Sequence, residues 1–534
     1  MKQTADERVL DILRTSAEKA ERLAGRKLLQ TPEVTEIIKI FEAFLREKKL
    51  IIYGGTAINN ILPTEDQFYD RDIELPDYDV YSTNAIEDAK ELADLYVAKG
   101  YTQVDARSGI HLGPFTYKVF INFLPIADIT QMDEGIFKLM REEAISINGL
   151  IYAPPNYLRM GMYKELSRPK GDVSRWEKVW KRLQLLNKNY PLVGKNCDKK
   201  SKKEEKARQD KEQDKKQMRM MNIIRDSLIA QNAVFIGQFA ILKYAKYMPE
   251  KERKMYSYEH IRRFDVMLKE PELGATILKE QLEEEGFKHV KIVMHDPAPE
   301  PFDKHMGNSI ALNVDGKNVV NLFYPISCHS FNLLYENRQR LNIASIDMIM
   351  NFYLAQIYLP ESKYNKEKLL CICEQLMKIR KKHKFVKRGI LRQFAVRCLG
   401  DERTLVQTRQ KRSEMYKELK VDRSSKSFEK YFFKYEPYEE QLKKEEKAAK
   451  KRLAKEKAKV ATEKAKVATE KAKVAKEEGT ISTLRKKVRT LKKPKSAIHR
   501  HRKGKKHGNR TAKKVRFAKE LKQEQPNKIG NIEF

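Results

Sequence analysis

Apolar and polar positions along this chain fall into short blocks whose period changes from two to about 3.6. After Thr31-Pro32, a good helix start, Val34, Ile37, Ile38, Phe41, Phe44 and Leu45 form one stripe, so residues 1–48 read as helical up to a short apolar run. That run, residues 50–53, is closed by Gly54-Gly55, the pattern of a buried strand that ends in a tight turn. Thr56-Ala-Ile-Asn-Asn-Ile-Leu62 then opens a helix that Pro63 stops. Asp77 and Asp79 lie two residues apart ahead of Val80-Tyr81, so on a strand both carboxylates project to one face. The apolar run 119–126 reads as a further strand, placed to lie beside the first and to end at Asp128. Residues 346–400 alternate apolar stripes with Lys and Arg and predict a helical layer.

The pattern repeats. Val234-Phe-Ile-Gly237-Gln-Phe-Ala240-Ile241 aligns with Ile51-Ile-Tyr-Gly54-Gly-Thr-Ala57-Ile58, and Arg263-Phe-Asp265-Val266 with Asp77-Tyr-Asp79-Val80. Gly286-Phe287 stands as far beyond Asp265 as Gly100-Tyr101 beyond Asp79. Val319-Val-Asn-Leu-Phe323-Tyr-Pro325-Ile326 matches Val119-Phe-Ile-Asn-Phe123-Leu-Pro125-Ile126, and Leu341-Asn-Ile-Ala344-Ser345 matches Leu150-Ile-Tyr-Ala153-Pro154, each opening a helix. On this alignment the second copy keeps the strands and glycine turns but not the chemistry. Gln238, Phe239, Arg263 and Cys328 stand where the first copy has Gly55, Thr56, Asp77 and Asp128. Asp265 is then expected to be a structural acid, and the second copy a scaffold that packs against the first.

In the first copy the glycine turn and helix start would aim backbone N–H groups at an anion, and glycine would let a triphosphate come close. Three carboxylates beside such a cradle suit two divalent metals, one activating a hydroxyl and one steadying a leaving pyrophosphate. Gly54, Gly55 and Thr56 are therefore expected to hold the triphosphate, backbone first and hydroxyl second. Asp77, Asp79 and Asp128 are expected to bind the metals, Asp128 also receiving a proton. Arg159, Lys164, Arg168, Arg175 and Lys178 are the candidates to neutralise the triphosphate or an RNA backbone, Lys164 and Arg168 foremost. Trp176 reads as a core anchor rather than a base-stacking platform, while Tyr157 and Tyr163 stay open between the two.

The ordered set Gly54-Gly55, Asp77-x-Asp79, Asp128 resembles the nucleotidyltransferase superfamily of DNA polymerase β, although the polar insertion at 63–74 lengthens the usual gap. A live copy followed by a dead one, with Met162-Tyr-Lys-Glu-Leu-Ser-Arg168-Pro-Lys-Gly-Asp-Val-Ser-Arg175-Trp176-Glu-Lys178, resembles the poly(A) polymerase catalytic subunits of poxviruses and giant viruses over roughly residues 30–430. The resemblance implies an α/β (α+β) fold of two tandem nucleotidyltransferase-like domains, with mixed sheets flanked by helices. It implies extension of RNA 3′ ends with ATP, needing Mg²⁺ or Mn²⁺, in the cytoplasmic factory of an infected cell, and leaves the virion open as a second location. It leaves room for a homodimer around the RNA. The rival readings are a transferase that adds another nucleotide such as UMP, a non-catalytic RNA-binding or processivity subunit, and a structural virion nucleic-acid binder.

Charge and cysteines narrow this. The 534 residues are enough for two or three domains and carry a formal charge of +35. Residues 481–534 hold 19 Lys or Arg against 3 Glu, the footprint of a polyanion binder that could grip RNA, DNA or a packaging partner, or serve as an address. The motif Lys457-Ala-Lys-Val-Ala-Thr-Glu463 recurs twice more to Glu477, better suited to a solitary solvated helix than to a coiled coil because alanine buries little. Cys197, Cys328, Cys371, Cys373 and Cys398 show no metal spacing and are expected to be reduced thiols in a soluble intracellular protein. The expected organisation is a helical region (1–48), an active domain (49–194), a charged linker (195–219), a degenerate copy (220–345), a helical layer (346–440) and a Lys-rich tail (441–534).

Overall fold

The computed structural model describes residues 31–69, 76–110, 115–195, 211–296, 307–360 and 364–490, with Cys197, Ser362 and scattered positions between 6 and 20. Most of the 195–219 linker, residues 70–74 of the 63–74 insertion and the basic stretch 491–534 lie outside the described residues.

Two mixed sheets organise residues up to 446. The first is built from β1 (Ile51–Tyr53), β2 (Tyr78–Ser82), β3 (Val104–Ser108), β4 (Thr116–Ile121), β5 (Leu124–Gln131), β6 (Ile145–Ile147) and β7 (Leu150–Tyr152). The second uses β8 (Val234–Phe235), β9 (Phe264–Met267), β10 (Val290–His295), β11 (Ser309–Val314), β12 (Lys317–Phe323), β13 (His329–Glu336), β14 (Gln339–Ala344) and β15 (Arg397–Leu399). A late strand, β16 (Lys434–Tyr435), returns to the first sheet and pairs with β3.

The strand orders are β16-β3-β4-β5-β2-β1-β7-β6 and β10-β11-β12-β9-β8-β14-β13-β15. Without the edge strands β16 and β15, the two run β3-β4-β5-β2-β1-β7-β6 and β10-β11-β12-β9-β8-β14-β13. This is one topology used twice, and it bears out the expected mixed α/β fold. Matching helices follow: Gly54–Ile61 with Gln238–Ala245, Ala85–Ala98 with Pro271–Glu284, and Pro155–Leu166 with Ile346–Ile357. The second pair of helices ends alike, with Gly100 (φ +95°) and Gly286 (φ +84°) in the left-handed conformation that stops a helix at little steric cost.

The topology corrects the alignment read from sequence. The run 119–126 is not one strand: positive φ at Asn122 and Phe123 folds it into the β4–β5 hairpin. The counterpart of β5 is β12, which pairs in parallel with β9 as β5 does with β2. The residue facing Asp265 is therefore Asn321, and Asn321, not Cys328, stands where the first copy has Asp128.

The two halves share a core. The helix Ile346–Ile357 is buried on every side, as a helix apolar all round must be, because it packs against the first half's Pro155–Leu166 helix as well as its own sheet. Tyr157 and Tyr358 meet edge-on across this contact, and Ser330 N–H donates to the Ser167 carbonyl at 2.9 Å. The expected helical layer is helical in part: helices Lys366–Lys382, Leu405–Leu419 and Lys426–Phe432 alternate with irregular chain and with β15 and β16. Expected as thiols, Cys197–Cys371 and Cys328–Cys398 are instead disulfides, and Cys373 is a buried thiol. Separations of 174 and 70 residues left no spacing signal for these pairs. From Lys447 the chain forms a second unit, whose described part continues the helix Pro437–Thr490 with every residue exposed. None of the described helices is long and apolar enough to cross a membrane.

Candidate active site

Backbone register assembles the first copy's chemistry. β2 lies between β1, antiparallel, and β5, parallel, and in these ladders Asp79 stands opposite Tyr53 on one side and Asp128 on the other. Two carboxylates on adjacent strands at the same level point to the same face. Asp77, exposed just before β2, completes the set. The three feel one another. Burial, then Asp77, then Asp128 raise the Asp79 carboxyl to about 7, with Lys118 and Arg175 opposing. The Asp128 carboxyl is also raised by burial and by Asp77, against the pull of Lys118, whose ammonium is paired with it.

The glycine turn presses directly on this cluster. Gly54 has φ +73°, and a Cβ there would overlap Asp79 Oδ2 and stand 3.1 Å from its Cγ. Only glycine offers both the conformation and the room. A Cβ on Gly55 would come within 2.9 Å of Arg182 Nη1 and 2.5 Å of Tyr69 Oη. Thr56 differs from expectation: it is buried and its hydroxyl donates to the Asp77 carbonyl at 2.6 Å. It ties the glycine turn to the chain that leads into β2.

The expected cations separate. Arg159 is fully buried and donates to Asn187, Asn156 and the Tyr190 carbonyl, so it is a framework residue. Arg168 is turned toward the second half, 3.6 Å from Glu402, and its charge adds to the burial that holds His329 well below the usual imidazole range. Arg175 is about half exposed, 3.4 Å from Glu165, and its charge is felt at Asp79. Lys164 is partly buried in the helix Pro155–Leu166, and Lys178 is exposed on the helix Trp176–Asn189. Tyr157 and Tyr163 are buried. Trp176 donates from its indole N–H to the Glu165 carbonyl at 3.0 Å and packs near Phe394, an anchoring position.

Two cations were missed. Lys118 sits on β4 opposite Asp128. Arg182 lies over the Phe68 and Tyr69 rings, donates to Tyr69 Oη at 2.6 Å, and brings its guanidinium to Gly55. Arg175, Lys178 and Arg182 fall on one face at helical spacing, a signal the sequence did contain. Tyr69 belongs to the polar insertion, which is held by Asn59 Oδ1 accepting from the Phe68 and Tyr69 N–H groups at 2.8 Å each.

The donor set fits hard divalent cations: Asp79 and Asp128 share one face with Asp77 just ahead of the strand, and burial together with these two neighbours is what lifts Asp79. Among the described residues no three ligating groups already close on one point. Asp128, turned to Lys118, would have to change partner. The second copy shows the alternative. Arg263 Nε donates to Asp265 Oδ1 at 2.9 Å, Asn321 Nδ2 donates to the same oxygen at 2.8 Å, and a Cβ on Gly237 would lie 2.6 Å from Asp265 Oδ2. The cradle survives there, with a guanidinium and an amide neutralising the single remaining carboxylate.

Comparison with known proteins agrees with the resemblance drawn from the motifs. Residues 39–172 match the family described as Poly(A) polymerase catalytic subunit. The chain is similar to the putative poly(A) polymerase catalytic subunit of African swine fever virus (isolate Pig/Kenya/KEN-50/1950), at 32% identity over 180 residues, 33% of this chain and 37% of that protein. It is similar to the putative poly(A) polymerase catalytic subunit of Acanthamoeba polyphaga mimivirus, at 29% identity over 194 residues, 36% of this chain and 32% of that one. These matches span about a third of the relatives' length. The fold extends further. The crystal structure of the Megavirus polyadenylate synthase superposes with a TM-score of 0.67 at 20% identity, covering 84% of this chain and 91% of that one.

Proposed function

We propose that the first copy is a template-independent RNA 3′-adenylyltransferase, a poly(A) polymerase adding AMP from ATP to mRNA 3′ ends in the cytoplasm of an infected cell. The observation that carries the reading is the register that sets Asp79 beside Asp128, with the Gly54 backbone against Asp79. The turn 54–56 offers N–H groups to the triphosphate, and Arg182, pinned by Tyr69, stands at Gly55 to meet its negative charge. Mg²⁺ or Mn²⁺ held by Asp77, Asp79 and Asp128 would supply Lewis acidity to the attacking and leaving oxygens. The primer 3′-hydroxyl attacks the α-phosphorus in line. The new O3′–Pα bond forms as the Pα–O bond to pyrophosphate breaks, and Asp128, once released from Lys118, would take the hydroxyl proton.

The second copy argues against a non-catalytic reading. An idle site in this chain has an arginine across its carboxylate and an asparagine for its third acid, and the first site has neither. The test is extension of a labelled RNA primer with each nucleoside triphosphate separately, in Mg²⁺ or Mn²⁺, beside the Asp77→Ala, Asp79→Ala double variant. A long ladder with ATP alone, absent in the variant, is expected. Extension with UTP in place of ATP would overturn the substrate. RNA binding without extension by any nucleotide would overturn the activity.

A further inference from the structure

Away from the carboxylates, one cavity on the second half is walled by cations. Lys387, Arg388, Arg392 and Arg397 surround a space of about 150 Å³ against β13, and no acidic residue lines it. Lys387, Arg388 and Arg397 are exposed and Arg392 is half-buried. Among the described residues none of the four has a carboxylate partner. Some surface cations elsewhere in the chain do find one: Lys170 with Asp401, Lys188 with Asp66, Lys243 and Lys246 with Glu336. Four unpaired cations around one concavity repel each other and focus a positive potential, so an anionic occupant stabilises the arrangement.

The wall is built rather than loose. The buried Asn332 donates from Nδ2 to the carbonyls of Ile390 and Arg392, at 3.0 Å each. Tyr244 Oη donates to the same Ile390 carbonyl at 3.3 Å, and Arg397 is fixed opposite Phe331 by the β13–β15 ladder. The loop also touches the first half. Phe394, between Arg392 and Arg397, has its ring 6.0 Å from that of Trp176 and 5.3 Å from that of Trp180. Trp176 directly follows Arg175, the cation whose charge reaches Asp79. The loop that carries Arg392 and Arg397 therefore abuts the helix Trp176–Asn189, whose start adjoins Arg175.

We propose that this cavity binds the phosphate backbone of the RNA strand upstream of the 3′ end under extension, so that the degenerate copy serves as the track on which the growing tail is held. The inference rests on the polymerase reading of the first site. Space of this size admits one phosphate group with a few waters, each water taking about 30 Å³. Guanidinium groups match phosphate oxygens through paired N–H donors and carry no base preference, as a tail-holding surface requires.

The test uses the full chain and the variant Lys387→Gln, Arg388→Gln, Arg392→Gln, Arg397→Gln, with labelled oligoadenylates of about 5 and about 30 nucleotides. Each phosphate neutralised on single-stranded nucleic acid contributes about 0.7 to the log–log salt slope, so loss of the one phosphate seated in the cavity lowers its magnitude by about 0.7. For the long strand we expect that change together with at least a tenfold rise in Kd at 0.1 M salt. Affinity for the short strand and its rate of extension should be unchanged, and a variant with the three arginines replaced by lysine should retain most of the long-strand affinity. Unchanged long-strand binding and slope would overturn the proposal. So would a lysine variant as weak as the glutamine one, or displacement by poly-glutamate but not by RNA, which would mark a protein-docking site. A wild-type chain that binds long RNA through the cavity but extends no primer would instead refute the polymerase reading, leaving the binding site standing.

Discussion

Asp79→Asn should abolish nucleotidyl transfer and at the same time stabilise the metal-free protein at neutral pH. Asp79 is raised from 3.8 to about 7 by burial and by its two carboxylate neighbours, so the folded chain holds a proton that the unfolded chain has already released. Below pH 4 both states are protonated and the effect vanishes. Between pH 4 and 7 stability falls as pH rises, because the native state binds the extra proton, and above 7 the loss is complete. A shift of about three units, at about 1.4 kcal/mol each, bounds the penalty at on the order of 4 kcal/mol. Asparagine carries no charge at any pH and removes it. The assay is thermal or urea unfolding in chelator at pH 5 and pH 8, wild type against variant. The variant should gain on the wild type by about 1–3 kcal/mol more at pH 8 than at pH 5. Added Mg²⁺ or Mn²⁺ should stabilise the wild type at pH 8 and the variant much less. A difference independent of pH, or a variant less stable at pH 8, would refute the convergence of the three carboxylates.

Gly54→Ala places a methyl group against Asp79 in a left-handed backbone. We expect about 1–2 kcal/mol of destabilisation from the backbone alone, and at least a hundredfold fall in kcat for primer extension in steady-state assays. Arg182→Gln removes the guanidinium beside Gly55, and should raise the KM for ATP at least tenfold while leaving RNA affinity within twofold, read by nucleotide titration and anisotropy. In the second copy, Arg263→Ala strips the guanidinium from the buried Asp265 and should cost about 3 kcal/mol in unfolding experiments without changing the rate on short primers. Asp265→Asn, Arg263→Ala together should recover much of that loss, since no buried charge remains.

The sequence by itself determined the local chemistry. Two glycines after an apolar run specify a strand ending in a tight turn, and Asp-x-Asp on a strand must present both carboxylates to one face, whatever surrounds them. The repeat was legible for the same reason: strand, turn and helix are encoded by neighbours a few residues apart. Register between distant strands is not so encoded. Residues 119–126 read as one strand because the hairpin turns at Asn122-Phe123 without glycine or proline, and the alignment of the second copy slipped accordingly from Asn321 to Cys328. Only the folded chain pairs β2 with β5 and β9 with β12, since that choice is made by which apolar faces can be buried together across 50 or so residues. The same holds for the cations. Arg159, Arg168 and Arg182 look alike in sequence, yet packing buries the first, turns the second to Glu402 and sets the third at Gly55. A charge declares its sign in one dimension, while its partner is set by tertiary distance, because electrostatic energy depends on separation and burial rather than on position along the chain.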